Sequence, residues 1–486
     1  MSVWTDEKWR AEMRLRVNIR NAFAEAVGAD HGITSEQISA LLPRMEAIRQ
    51  EIEARRKKGE LPFLDLPRQD VAPILSYVDS VRERINTFVV VGIGGSALGN
   101  IACHTALRHP YHNSLPPNRR GGMRVEVPDN VDPERLAGLL DTLILHRTLF
   151  NVITKSGSTA ETTSTFLIIK DRLQKNRWGG RWRNHVVVTT DPVSGDLRKL
   201  ATREKLAAFD IPPGVGGRFS VLTPVGLLSA AASGIDIREL LAGAQDMVDR
   251  VTATPLEKNP AYVGAAVHYL MYTHAKNPKR LAVMMPYSHA LKDVADWFRQ
   301  LWAESLGKRR RRDGTERPVG PTPVKALGAT DQHSQVQLYR DGPDDKVYTF
   351  LTVDRFAAGV PIPPVGEAAG LDAVAYLGGH SLEELLAAEE RATEAALFRA
   401  GRPVTRIAFP EVSPQAVGEY FHLMEATTVA AGALFDIDPL DQPGVEAGKQ
   451  YAYGLMGRPG FERMRQELEG LPSGDGRFLF TGSGKT

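Results

Sequence analysis

Cysteine is almost missing from this sequence. Cys103 is the single one in 486 residues, which excludes an intramolecular disulfide and fits a reducing cytoplasm. Long apolar runs are missing too: none approaches the roughly 20 residues that a membrane-spanning helix needs. The N-terminal stretch MSVWTDEKWRAEMRLR is charged and amphipathic and lacks the apolar centre of a secretory signal. Neither a membrane nor export is expected. There is no excess of charge of one sign, since 60 basic residues stand against 58 acidic ones. A formal net charge of +2 gives no field that would gather nucleic acid. HExxH and CxxC do not occur, and no metal site is expected.

What is present is ordinary globular material, 42% hydrophobic and 24% charged, enough for large cores. Residues 1–60 show helical periodicity. From Phe88 the pattern changes to strand, loop and helix in alternation. FVVV (88–91) runs into a helix ending near His109, and RVEV (124–127) is a short strand. FNVIT (150–154) leads to a helix from about Ser158 to Lys175, and HVVVTT (185–190) follows. Continuous β-branched runs between helices predict a parallel sheet covered on both faces.

A second block begins near Gly234. It has helical stretches to Ala275, the strand LAVMMPY (281–287), a helix from His289 to Leu306, and strands at 347–353 and 404–410 around a helix at 381–399. Between them KRRRRDGTERPVGPTP (308–323) reads as the least structured stretch, its five cations a solvated loop. The fold class is therefore α/β: two sandwiches tied together by terminal helices, divided at 1–80, 81–233, 234–435 and 436–486.

Two loops carry the chemistry. Gly92, Gly94, Gly95, Ser96 and Gly99 follow the first strand, and Thr154-Lys155-Ser156-Gly157-Ser158-Thr159 follow the next long one. Backbone N–H groups and hydroxyls gathered at a helix N-terminus suit a phosphate. Ser158 with Glu161 also spells a capping box, which accounts for those two residues and not for the other hydroxyls. The first loop equally fits a dinucleotide turn with Glu126 or Asp129 as the ribose acid, though the second loop then has no role. For Gly99 plain helix–strand packing serves as well.

Further along, Arg218 follows Gly216 and Gly217 and offers a fixed positive fork, or else is a solvated arginine on a surface turn. Gln300 and Glu304 share one face of the helix WFRQLWAES, where the carboxylate can act as a proton-transfer base or simply pair with Lys308. His333 lies in the polar turn GATDQHSQ, and Lys449 ends GVEAGK. Each, read alone, is an ordinary surface residue.

In combination and in this order, VVVGIGGSALG, TKSGSTAET, GVGGRFSVL, QLWAESLGK, GATDQHSQVQ and DQPGVEAGKQ resemble the glucose-6-phosphate isomerase (phosphoglucose isomerase) family, over residues 88 to 455. The resemblance implies two sugar-isomerase (SIS) type three-layer sandwiches with mainly parallel sheets, a homodimer, no cofactor, and a sugar phosphate substrate. It implies that Gly95, Ser96, Lys155, Gly157, Ser158 and Gln442 help bind substrate and that Thr154, Ser156 and Thr159 bind its phosphate. Gln300 would contact the sugar, Glu304 would move the proton between C1 and C2, and Arg218 would steady the enediolate. His333, from the neighbouring subunit, and Lys449 would assist ring opening. The family often has serine where Thr154 stands and phenylalanine where Gly157 stands. The arginine run is outside the family pattern.

Two other classes compete with the isomerase. A phosphosugar-binding regulatory module would keep both loops without needing Glu304, His333 and Lys449 together. A nucleotide-dependent dehydrogenase would be built on Gly92–Gly99.

Overall fold

The computed structural model describes residues 6–176, 179–366 and 370–471. Its strands, in chain order, are β1 (Arg16–Asn18), β2 (Thr87–Val91), β3 (Arg124–Glu126), β4 (Thr148–Ile153), β5 (Val186–Thr190), β6 (Ala207–Asp210), β7 (Leu281–Pro286), β8 (Lys308–Arg310), β9 (Glu316–Val319), β10 (Thr322–Lys325), β11 (Lys346–Val353) and β12 (Val404–Phe409). They form two five-stranded sheets and one hairpin.

The first sheet has the order β3-β2-β4-β5-β6 and is parallel throughout. Every residue of β2, β4 and β5 is buried, as the unbroken β-branched runs require when helices cover both faces. On one face Val89, Val91, Phe150, Val152 and Val188 meet Leu136, Phe166, Ile169 and Leu197. β2 and β4 are parallel neighbours, in register Val91↔Val152, so the chain leaves both at the same end of the sheet. The two hydroxyl- and glycine-rich loops therefore arise side by side, where α/β folds commonly bind ligands.

The second sheet has the order β1-β12-β11-β7-β10, parallel except for β1. The helix Pro414–Leu434 is buried all round from Gln415 to Leu434. A helix of that kind belongs in the middle of a layered core.

Four elements differ from the sequence expectation. β1 lies inside the stretch read as helical: three residues are too few for an alternation signal, and pairing with β12 in register Arg16↔Ala408 creates the strand. β10 lies in the proline-rich stretch read as loop, where Pro323 is tolerated because β10 is an edge strand. β6 has only the composition AAFD and is made by pairing with β5. The arginine run is not a loop. Lys308–Arg310 pairs with Glu316–Val319 as a hairpin, with Arg309 and Arg310 both reaching Glu316, at 3.1 and 3.0 Å.

The chain divides into two compact units, residues 1–439 and 440–486, and both sheets fall in the first. In the second, the helix Glu446–Leu455 packs on the helix Glu462–Glu469, with the Tyr453 and Phe461 rings 5.2 Å apart.

Candidate active site

The loop after β2 makes a tight 3₁₀ turn at Gly94–Ser96, with Gly94 at φ +56°. A Cβ on Gly95 would stand 2.2 Å from the carbonyl carbon of Gly217, so only glycine lets this loop lie backbone to backbone against the Gly216–Arg218 turn. Ser96 is partly exposed, and its hydroxyl makes no hydrogen bond among the described residues. Gly99 packs on the Val221 side chain, which is the packing role that its position allowed.

In the loop after β4, Thr154 is buried. Its hydroxyl accepts the Gly157 N–H at 3.2 Å and shares a hydrogen bond with the Thr159 hydroxyl at 2.8 Å. Gly157 has φ +72°, and a Cβ there would strike the backbone of Asp196 and Leu197. The helix begins at Ala160, with Thr159 at the cap position, its hydroxyl turned to Thr154 and bonding none of the helix's first N–H groups. The Ser158–Glu161 capping box does not form. Ser158 instead donates from its N–H and hydroxyl to the Ser156 hydroxyl, at 3.3 and 3.4 Å. An uncapped 16-residue helix thus points its N-terminus at exposed Ser156 and Ser158, an arrangement suited to an anion. The Lys155 ammonium donates to the Val215 carbonyl at 3.0 Å, tying this loop to the glycine-rich segment before Arg218.

Glu304 sits in the last turn of the helix Lys292–Leu306, whose other faces bury Trp297, Leu301 and Trp302. Gln300 donates to Glu304 Oε1 at 3.0 Å, and Arg218 Nη1 approaches Glu304 Oε2 at 3.3 Å. The Arg218 side chain is 1% exposed and that of Glu304 30%. The surface-turn reading of Arg218 is therefore wrong: its Nε donates to the Ser305 hydroxyl at 2.7 Å and its Nη2 to the Pro439 carbonyl at 2.5 Å. The Lys308 ammonium donates to the main-chain carbonyl of Glu304 at 2.6 Å, while Arg218 and Gln300 hold the carboxylate. Gln300 Oε1 is buried without a partner among the described residues, and a Cβ on Gly94 would stand 3.2 Å from Gln300 Nε2. First loop, arginine turn and carboxylate helix thus form one cluster. It places a partly exposed base beside a buried, fixed cation, the pairing needed to take a proton from carbon and hold the oxyanion that forms.

His333 ends the turn Thr330–His333 after β10, is exposed, and makes no hydrogen bond or ion pair among the described residues. Its turn is held by Asp331, which accepts the Leu327 N–H and the Ser334 hydroxyl at 2.7 and 2.5 Å. Burial pushes the Asp331 carboxyl up, but these bonds and one from Gln335 outweigh it and hold the group below its usual range. Lys449 and Gln442 belong to the second unit, where the Lys449 ammonium bonds Glu446 at 2.8 Å and Gln442 precedes the turn Pro443–Val445. A cavity of about 300 Å³ lined by Arg56, Val248, Tyr262 and His422 shares no residue with the cluster. Sequence reasoning missed Ser305 and the two carbonyls, of Val215 and Pro439. A serine beside a candidate base was the one available signal, and a main-chain acceptor leaves none.

The family model for phosphoglucose isomerase matches residues 76–470. A glucose-6-phosphate isomerase of Carboxydothermus hydrogenoformans is 48% identical over 459 residues, 94% of this chain and 97% of the relative. One of Rubrobacter xylanophilus is 45% identical, over 88% of this chain and 96% of the relative. Among solved structures, a hypothetical protein of Thermus thermophilus superposes with a TM-score of 0.79 at 39% identity, covering 91% of this chain and all of that one. A glucose-6-phosphate isomerase of Chlamydia trachomatis shares the fold, with a TM-score of 0.70 at 22% identity, covering 95% of this chain and 85% of that one. The family match takes in β2 to β12 and the Arg218–Glu304 cluster alike, and the chain belongs to the phosphoglucose isomerase family.

Proposed function

We propose that this protein interconverts glucose 6-phosphate and fructose 6-phosphate through a cis-enediol, the isomerisation shared by glycolysis and gluconeogenesis. Relatives that cover nearly the whole chain carry the name of that activity. The observation that carries the chemistry is the Glu304 carboxylate, partly exposed and held between Gln300 and the buried Arg218.

The reaction requires an open-chain sugar. One group gives a proton to the ring oxygen and another removes one from the C1 hydroxyl, and His333 and Lys449 are assigned to this step. Glu304 then takes the proton from C2, the electrons flow towards the C1 carbonyl oxygen, and the enediol forms. Transfer of the C2 hydroxyl proton to the C1 oxygen, with return of the carbon-bound proton from Glu304 to C1, gives the ketose. Arg218 stays charged throughout, so it stabilises the developing oxyanion without giving up a proton. The dianionic phosphate is remote from the bond changes, and its binding orients the reacting carbons. Gly95, Ser96, residues 154–159 and Gln442 hold substrate, with the hydroxyls of Thr154, Ser156 and Thr159 on its phosphate, and Gln300 contacts the sugar. The working assembly is a homodimer in the cytoplasm with His333 supplied across the interface. Its parts are α/β domains at 81–233 and 234–435, flanked by residues 1–80 and 436–486.

Turnover of fructose 6-phosphate by the purified protein, followed by a coupled assay without added metal or nucleotide, tests the reading. Glu304→Gln should still bind substrate while losing about 10²–10⁴-fold in kcat, the usual worth of a general base. Retention of more than a tenth of the parent kcat would remove Glu304 from its role. Binding of fructose 6-phosphate without turnover by the parent would favour the regulatory module instead.

A further inference from the structure

We propose that Ser305 is a positioning residue for catalysis: its hydroxyl sets the plane of Arg218 so that the guanidinium faces the reacting oxygen. The proposal rests on the isomerase reading of Arg218 and Glu304.

Ser305 is fully buried, in the last turn of the helix that carries Glu304. Adjacent residues on a helix point about 100° apart, so Ser305 and Glu304 address Arg218 from two directions. Nε donates to Ser305 Oγ at 2.7 Å and Nη2 to the Pro439 carbonyl at 2.5 Å, whereas the contact from Nη1 to Glu304 is longer, at 3.3 Å. The two short bonds hold the guanidinium. The long one leaves it short of a close ion pair with the base.

This geometry has a chemical consequence. Ser305 and Pro439 fix the side chain through uncharged oxygens, so the fixing itself leaves the positive charge intact for the enediolate. A carboxylate in the place of Ser305 would fix the arginine and quench it. Without the hydroxyl, Nε is left buried without that acceptor, and the guanidinium can shift towards Glu304. A closer pair would make Glu304 a poorer base and would aim Arg218 away from the oxyanion. An alignment error of this kind acts on the transition state more than on substrate binding.

The test is a double-mutant cycle with Ser305→Ala, Arg218→Ala and the pair, assayed with fructose 6-phosphate. Removing one preorganised oxyanion donor costs about 10²–10³-fold in kcat, which sets the expectation for Arg218→Ala. Ser305→Ala should lower kcat by roughly 10–100-fold with KM within about threefold of the parent, a partial loss of the same effect. In the Arg218→Ala background the same change should alter kcat by less than about twofold, because a residue acting through Arg218 has nothing left to act on. Ser305→Thr, which keeps the hydroxyl, should recover most of the loss. An equal loss of kcat in both backgrounds, or a raised KM at parental kcat, overturns the proposal. If Ser305→Ala melts without a cooperative transition, Ser305→Cys, of similar size and a poor acceptor, gives the same reading. Full kcat in Arg218→Ala would instead sink the role of Arg218, a separate failure from that of Ser305.

Discussion

Thr154 and Ser156 stand two residues apart in one loop, yet their hydroxyls face different partners. Thr154 closes the loop on Gly157 and Thr159, and Ser156 lies exposed beside an uncapped helix N-terminus. The two alanine variants should therefore part company. Ser156→Ala together with Ser158→Ala is expected to raise KM for fructose 6-phosphate with little change in kcat, since hydrogen bonds to a charged group are worth roughly 1.5–3 kcal/mol each. Inorganic phosphate should compete with substrate in the parent and poorly in this variant; equal inhibition of both would place the phosphate elsewhere. Thr154→Ala should cost stability as well, roughly 1 kcal/mol for a lost buried hydrogen bond, and so lower the thermal midpoint. An unchanged midpoint would contradict the loop-closing role.

At the scale of elements, the buried helix Pro414–Leu434 holds the N-terminal segment through Glu419. Glu419 Oε2 accepts from Arg250 at 2.8 Å and from the Leu15 N–H at 3.0 Å, while Arg250 also donates to the Leu15 carbonyl at 3.0 Å. Nearby, Arg14 grips Asp246 with two bonds of 2.7 Å. This clamp delivers β1 to the sheet edge. Burial pushes the Glu419 carboxyl up to about 7, against the pull of Arg250. The folded protein thus keeps a proton that the unfolded chain releases near the ordinary glutamate value. The stabilisation is complete below that value and is lost as pH rises towards 7. Glu419→Gln should remove this slope. The thermal midpoint of the parent is expected to fall relative to the variant between pH 5 and pH 7.5, and parallel curves would refute the assignment. The arginine hairpin, in contrast, is held by exposed pairs to Glu316, each worth ~0–1 kcal/mol.

At the scale of the whole molecule, the proposed dimer makes a prediction that no single chain can meet. His333 is exposed and unbonded among the described residues, as suits a side chain that serves a neighbouring subunit. His333→Ala and Glu304→Gln should each be nearly inactive. Co-expressed with separable tags, they would form mixed dimers with one site carrying both lesions and one carrying neither. The mixed fraction should regain about half the activity of a parental dimer. A well-folded mixed dimer without activity would place both residues in one chain and leave the isomerase reading intact.

The parallel first sheet, its two neighbouring glycine- and hydroxyl-rich loops and the carboxylate helix were legible in the sequence. Each is written in a local pattern: unbroken β-branched runs, glycines and hydroxyls between strand and helix, Gln300 and Glu304 four apart. The family resemblance was legible for the same reason, since its motifs are contiguous. Elements made by pairing were not. β1, β6, β10 and the arginine hairpin have weak local preference and exist because a partner strand lies beside them. The fate of single polar residues was equally hidden. Arg218 reads equally as a fixed fork or a solvated arginine until Ser305, Glu304 and Pro439, 86 to 221 residues away, meet it. Ser158 reads as a helix cap until Ser156 takes its N–H. Local sequence determined the long helices, the β-branched strands and the loops between them; only tertiary packing decided the short paired strands and which side chains lose water, because strand pairing, burial and long-range hydrogen bonds depend on what the rest of the chain brings alongside.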